Sequence, residues 1–240
     1  MRSFLEKALI RNSSKEFLRV NTLLGFVTII SIVSISLETV ESLRKYEYIF
    51  QLVEYIVVGI FTVEYLGRAY VKEDRIKYIF SFFGIVDIIS ILPTYFGLAN
   101  LTFLKSARIF RVLQFLRTLR LAKLAKINKF SNKNSRKSRE VQFLSLRIYG
   151  ITLFGAVVIF GTLLYLIESS NPLFKDIPTS SFWALQAILG GNTNTSDFSL
   201  AAKTLVIFIQ FSGLLLFGLL IHLVGKFIER KLLGSESIID

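Results

Sequence analysis

The sequence has no cysteine and only one histidine in its 240 residues. The first absence excludes disulfides and cysteine-based metal sites. The second leaves little for imidazole chemistry, and neither a phosphate-binding loop nor a nucleophile elbow occurs, so an enzyme has little support. The first apolar run comes late and no small-residue cleavage site follows it, so no cleavable leader is expected. Acidic residues are also scarce, with 17 Asp and Glu against 29 Lys and Arg, a net charge of +12. Such an excess raises the question of a nucleic-acid partner, which its distribution along the chain answers below.

What the chain has in quantity is apolar residues, 52% of the total, with a mean hydropathy of +0.57. Six stretches are long enough, or nearly so, to cross a hydrocarbon layer that takes about 20 helical residues. They lie near 21–38, 48–70, 78–98, 101–127, 147–168 and 200–228. The expected fold is therefore an all-α integral membrane protein with six transmembrane helices. Thr28, Ser31, Ser34 and Ser36 in the first stretch suggest close packing between helices. Outside the fourth stretch most of the cations fall in alternate connections: Arg2 to Arg19; Arg68, Lys72, Arg75 and Lys77; Lys133 to Arg147; and Lys226, Arg230 and Lys231, the intervening ones being poor in Lys and Arg. The intervening connections carry Glu38, Glu41, Glu47, Glu168, Asp176 and Asp197. This is the positive-inside pattern. It places both termini in the cytoplasm, assigns the charge to the lipid bilayer and argues against nucleic acid.

The fourth stretch is found by its charges. Between Lys105 and Lys129 a cation stands at every third position, at Lys105, Arg108, Arg111, Arg117, Arg120, Lys123, Lys126 and Lys129, with Gln114 the one interruption. Arg near the bilayer centre costs roughly 3 kcal/mol on insertion scales, and a charge crossing the membrane field gains about 2.3 kcal/mol per 100 mV. Repeated cations in an apolar helix therefore point to voltage sensing. A period of three becomes a straight stripe on a 3₁₀-helix and a slowly winding one on an α-helix. The alternative, a basic amphipathic helix lying on the membrane surface, does not predict so strict a period. The second and third stretches supply counter-charges, Glu54 and Glu64 in one and Asp87 in the other. Carboxylates within spans face a cation or a water-filled cavity. Glu64 and Asp87 are read as an inner cluster and Glu54 as an outer one, with Phe61 between them as a candidate plug; periodicity alone reads Phe61 as ordinary packing.

Glu54, Phe61 and Glu64 stand at the E-x6-F-x2-E spacing, and VDIISILPTYF (86–96) carries an Asp and a Pro. These residues, with the charged fourth stretch, resemble the voltage-gated potassium channel family of the prokaryotic six-transmembrane type. The resemblance implies that Glu54, Phe61, Glu64 and Asp87 form a charge-transfer centre. It implies that Arg108, Arg111, Arg117, Arg120, Lys123 and Lys126 are the voltage-sensing charges, with Gln114 standing where the family usually has Arg. It divides the chain into a cytoplasmic interfacial helix (1–19), a voltage-sensor domain (20–128), a linker (129–146), a pore domain (147–232) and a short tail (233–240). IPTSSFWALQAIL, too short to span, reads as a re-entrant pore helix capped by Thr179, Ser180 or Ser181, and its Phe182–Trp183 pair resembles the family's pore helix. Lys203 and Gly213 are ten residues apart, as are the family's Gly-Lys and hinge glycine, so Gly213 is the gate-hinge candidate; glycine also serves close helix packing.

At the filter the sequence departs from the family. Instead of TVGYG it has Gly190, Gly191, Asn192, Thr193, Asn194 and Thr195, followed by Asp197. That composition predicts a wider, weakly selective mouth, since a carbonyl cage is what replaces an ion's hydration shell. The expectation is a homotetrameric voltage-gated cation channel in the plasma membrane, passing monovalent cations and needing no cofactor. The alternative is a voltage-sensing protein whose pore does not conduct, acting as a regulator or passing protons through the sensor. His222 in the sixth stretch reads as a packed helix residue or as a titrating group of the gate.

Overall fold

The computed structural model describes residue 9 and residues 15–72, 74–98, 116–118, 138–191 and 194–233. All regular structure among them is helical. Helix α1 is Lys15–Glu38, α2 Glu47–Val71, α3 Arg75–Ile79, α4 Phe82–Leu98, α5 Ser138–Ile167, α6 Ile177–Ile188 and α7 Leu200–Leu233. Short 3₁₀ segments lie at Glu41–Tyr46, Leu116–Thr118 and Pro172–Phe174. Among the described residues four stretches are long and apolar enough to cross a membrane, Arg19–Glu38, Glu41–Val71, Leu146–Ile167 and Leu200–Ile228, and Phe82–Tyr95 is a shorter apolar helix. The charged fourth stretch lies outside the described residues except at 116–118, where it is 3₁₀.

Several boundaries differ from the sequence reading. Residues 15–19 belong to α1, with no break before the apolar run. The third stretch is two helices, because Ser81 stops one and starts the next. Its hydroxyl donates to the Tyr78 carbonyl at 2.6 Å and accepts from the Gly84 amide at 3.1 Å, which caps α4. Glycine is needed at 84, where a Cβ would lie 2.0 Å from the Tyr78 carbonyl oxygen. The assigned linker is helical from Ser138 onward, continuous with the fifth span. The cap of α6 is Asp176, not Thr179, Ser180 or Ser181. Asp176 is extended and its carboxylate accepts from the Thr179 amide at 2.8 Å, while Ser180 turns its hydroxyl back onto the Asp176 carbonyl.

Helices α5, α6 and α7 form one packed unit. Its core is Leu164, Phe174, Ala184, Ala187, Ile188, Phe198, Ala202, Val206 and Ile209. At one end the rings of Phe174, Trp183 and Phe198 meet pairwise at 5.3–5.5 Å, mostly edge to face, the geometry aromatic pairs favour. Only one stripe of α7 is covered: Ala202, Val206, Ile209 and Gly213 are buried, while Ile207, Phe208, Phe211, Leu214, Leu215 and Phe217 are exposed. The other helices pack as a second group, and α1 joins the two. Ile32 and Ile35 pack with Val158, Tyr165 and Ile177 of the same chain, and the Thr39 hydroxyl accepts from the Ile177 amide at 2.9 Å. That bond satisfies an otherwise orphaned donor in the first turn of α6.

Gly213 is where α7 touches the C-terminal end of α6. A Cβ there would lie 2.2 Å from the Ile188 carbonyl oxygen, whereas at Gly218 nothing lies within 4 Å. Gly213→Ala should therefore lower stability by about 1–3 kcal/mol, the range for overpacking a tight site, and Gly218→Ala should be neutral or stabilising. Thermal unfolding of the detergent-solubilised protein checks this; equal midpoints for the two variants would remove the close-approach argument.

Candidate voltage-sensing site

Three helices line the site, and each contributes to the same three layers. Along α1 these are Asn21, then Leu24 and Val27, then Ser31. Along α2, which runs the other way, they are Arg68 and Glu64, then Phe61, Val58 and Val57, then Glu54. Along α4 they are Asp87, then Ile91, then Thr94. Side chains on one face recur every three to four residues, so each step in the series moves one or two turns along its helix.

The outer layer holds an ion pair. Arg117 is fully buried and grips Glu54 with both terminal nitrogens, Nη1 to Oε2 at 2.7 Å and Nη2 to Oε1 at 2.6 Å. Such a fork is the strong geometry for a guanidinium and a carboxylate. Nη1 also donates to the Ser31 hydroxyl, and the Thr94 hydroxyl donates to Glu54 Oε1. Thus four elements, α1, α2, α4 and the 3₁₀ turn of the fourth stretch, meet on one charge. Ser31 is a ligand of Arg117 rather than a simple packing contact, a role that hydroxyl spacing alone does not announce.

The middle layer is apolar. Phe61 is fully buried with Val57, Val58 and Ile91, and Leu24, Val27 and Val53 pack around it. Phe61 lies seven residues from Glu54 and three from Glu64, about 10 Å and about 4.5 Å along the helix at 1.5 Å per residue.

The inner layer is polar again. Glu64 pairs with Arg68 one turn away on α2, Oε1 to Nε at 2.8 Å. Arg68 Nη2 donates to Asn21 Oδ1 at 2.9 Å, and Asn21 in turn donates to the Phe17 carbonyl at 2.7 Å. The Tyr78 hydroxyl donates to Asp87 Oδ2 at 2.9 Å, and Lys72 stands 4.3 Å from the centre of the Tyr78 ring. Arg68 is thus a buried member of the site and not a loop cation, as its place in the charge pattern suggests. An i,i+4 spacing to Glu64 was the available signal. Tyr78 and Asn21 carry no sequence signal of their own.

Of the proposed sensing cations, only Arg117 lies among the described residues; Arg108, Arg111, Arg120, Lys123 and Lys126 lie outside them. At the filter, Gly190 has φ +78°. Its amide meets the Ala187 carbonyl at 3.3 Å and that of Gly191 meets the Gln186 carbonyl at 2.8 Å. This is a glycine-terminated helix end, with left-handed backbone at the first residue past the cap. Asn192 and Thr193 lie outside the described residues. Asn194 Oδ1 accepts from the Ser196 amide at 3.0 Å, and the Thr195 carbonyl accepts from the Phe198 amide at 3.1 Å. His222 lies exposed on α7.

The buried, bidentate cation thus sits among helices of which several are long and apolar enough to cross a membrane. The ion transport protein family model matches residues 18–231, and the chain belongs to that family; it is a channel-family protein, not an enzyme. Its relatives include the human voltage-gated potassium channel regulatory subunit KCNF1, 31% identical over 141 residues, covering 55% of this chain and 28% of the relative. The rat protein of the same name matches to the same extent, with 29% of its length covered. The Drosophila melanogaster potassium voltage-gated channel protein Shal is 38% identical over 55 residues, 23% of this chain and 10% of the relative. The resemblance to voltage-gated potassium channels seen in the sequence is therefore met by named members of that group. The chain spans less than a third of these relatives' length.

Removing one partner of a buried pair leaves the other charged and desolvated, a loss of about 3–5 kcal/mol. Glu54→Gln should therefore destabilise the fold by that order, while adding Arg117→Gln to it should cost much less than Arg117→Gln alone. A double-mutant cycle on thermal stability reads the coupling; additive losses would mean the pair is not energetically linked.

Proposed function

We propose that the chain is one subunit of a homotetrameric voltage-gated cation channel, with residues 20–128 as sensor and 147–232 as pore domain. The observation that carries this reading is Arg117, a cation of the three-residue register, held by Glu54 just outside an apolar layer that has further carboxylates on its other side. A thin low-dielectric layer between two polar ones concentrates the membrane field where the cations pass. If about three charges move in each of four sensors, a 100 mV change supplies roughly 28 kcal/mol to the assembly. In this account Glu54, Phe61, Glu64 and Asp87 form the transfer centre. Arg108, Arg111, Arg117, Arg120, Lys123 and Lys126 carry the charge.

In the pore, α6 is the re-entrant helix, α5 and α7 are the fifth and sixth spans, and the charged stretch completes six. The exposed apolar faces of α7 meet lipid and the neighbouring subunits of the tetramer. Both termini lie in the cytoplasm, and the assembly sits in the plasma membrane. Gly213 acts as the gate hinge, a role that its tight contact with Ile188 makes dependent on α6 moving with α7. Gly190 through Thr195 form a mouth with few backbone-carbonyl rings, so potassium and sodium are weakly discriminated.

A second reading is a subunit whose own pore does not conduct and which modulates conducting partners. Two observations favour it: Gly190 and Gly191 are used to end α6, and relatives carry the name of a regulatory subunit.

Neutralising Arg117 and Arg120 together should flatten the voltage dependence of charge movement in reconstituted protein. Gating currents identical to wild type would refute the sensor. The reversal potential under potassium-for-sodium exchange should move only slightly; a strongly potassium-selective current would refute the proposed filter, and no current with intact charge movement would favour the regulatory reading. For topology, a membrane-impermeant thiol reagent should reach Ser170→Cys from outside, and Lys226→Cys only after permeabilisation, in this cysteine-free chain.

A further inference from the structure

The two polar layers of the site are built on different plans. The outer layer has one carboxylate, Glu54, and its cation, Arg117, comes from the charged stretch. The inner layer has two carboxylates, Glu64 and Asp87, and one of its cations, Arg68, comes from the same helix as Glu64. Arg68 is buried and tied in place through two of its guanidinium nitrogens, Nε by Glu64 at 2.8 Å and Nη2 by Asn21 of α1 at 2.9 Å. It cannot travel with the charged stretch. Counting Glu64 and Asp87 as ionised, Arg68 cancels one of two negative charges. Arg68 thereby lowers by one the negative charge that the inner layer presents to an arriving sensing cation.

From this we infer that Arg68 is a positioning residue of the sensor, a fixed counter-charge that weakens the inner layer's hold on the moving cations and sets the voltage at which they cross the Phe61 layer. The inference rests on the voltage-sensing reading above and adds to it a determinant of the midpoint. Without Arg68 the inner layer would be more negative by one charge. Sensing cations would then be held on the cytoplasmic side, and stronger depolarisation would be needed to release them. Asn21 sets up an independent check, since a carboxylate there adds a negative charge to the inner layer without removing Arg68.

The test is the charge–voltage relation of the reconstituted full chain. Arg68→Gln should shift its midpoint to more positive voltages with the total charge unchanged, because Arg68 itself does not move. Arg68→Lys should return most of the shift. Asn21→Asp, which keeps a partner for Arg68 and so spares the fold, should shift the midpoint in the same direction. A merely structural Arg68 predicts a different pattern: Asn21→Asp, which retains an oxygen acceptor for Arg68, would leave the midpoint in place. Midpoints of Arg68→Gln and Asn21→Asp that stay at the wild-type value would overturn the inference, as would a shift in Arg68→Gln with none in Asn21→Asp. If the wild-type chain moves no charge, the sensor reading falls and this one with it. Charge movement in the wild type with an unshifted Arg68→Gln defeats the inference alone.

Discussion

The structure depends on a guanidinium placed where water does not reach. Taking Arg117 out of water costs several kcal/mol even after relaxation, and an apolar bundle repays that cost only through good geometry. Here the repayment is divided among helices. Glu54 on α2 supplies the fork, Ser31 on α1 accepts from Nη1, and Thr94 on α4 donates to the carboxylate. No single helix satisfies the charge. The pair therefore fixes the register of three helices against one another and against the charged stretch. A slip of one residue in any helix would swing its polar member away from the pair and leave a buried charge uncompensated.

That register produces the layers. Because α1 and α2 run in opposite directions, Asn21 meets Arg68 at one level while Ser31 and Glu54 meet Arg117 at another. Between them Leu24 and Val27 of one helix and Val57, Val58 and Phe61 of the other pack together. A phenyl ring offers no carboxylate to a cation, so its hold on one is weaker than that of Glu54. In the proposed sensor the apolar level is a barrier between two basins, and its thinness decides how much of the field falls across it. The same α1 carries Ile32, Ile35 and Thr39 to the α5–α6 pair. Rearrangement at Ser31 and support of the first turn of α6 are consequently two ends of one rigid rod, less than three turns apart.

The residues that the sequence made legible are those where charge and apolarity conflict. Glu54, Glu64, Asp87 and Arg117 stand out because a membrane helix has no other reason to hold them. Phe61 was legible only through the carboxylates that flank it, since nothing in periodicity separates it from 22 other phenylalanines. Arg68 was misplaced because positive-inside counting treats every terminal cation as a loop charge, and only its burial distinguishes it. Ser31, Thr94, Asn21 and Tyr78 belong to residue types that cap, pack or hydrogen-bond anywhere, so their partners were not readable before the fold was known. The breaks were missed where one side chain does two jobs. Ser81 ends a helix and starts the next, and Asp176 caps α6 from a position that charge counting assigns to a loop.

The glycines of the pore module show how a single residue type serves opposite ends. Gly213 is helical and matters for what it lacks, a Cβ that would collide with the Ile188 carbonyl. Gly190, two residues beyond Ile188, matters for its backbone, because φ +78° is a conformation that L side chains rarely adopt. Together they fix the end of α6 from both sides. One allows α7 to press against the last turn, and the other lets the chain leave that turn at once. The junction of α6 and the chain beyond it is thereby anchored to the helix that carries the proposed hinge. A displacement of α7 at Gly213 is felt first by the Ile188 carbonyl and next by the Gly190 turn. In the proposed pore this makes the gate and the ion mouth mechanically adjacent, whatever ion the mouth admits.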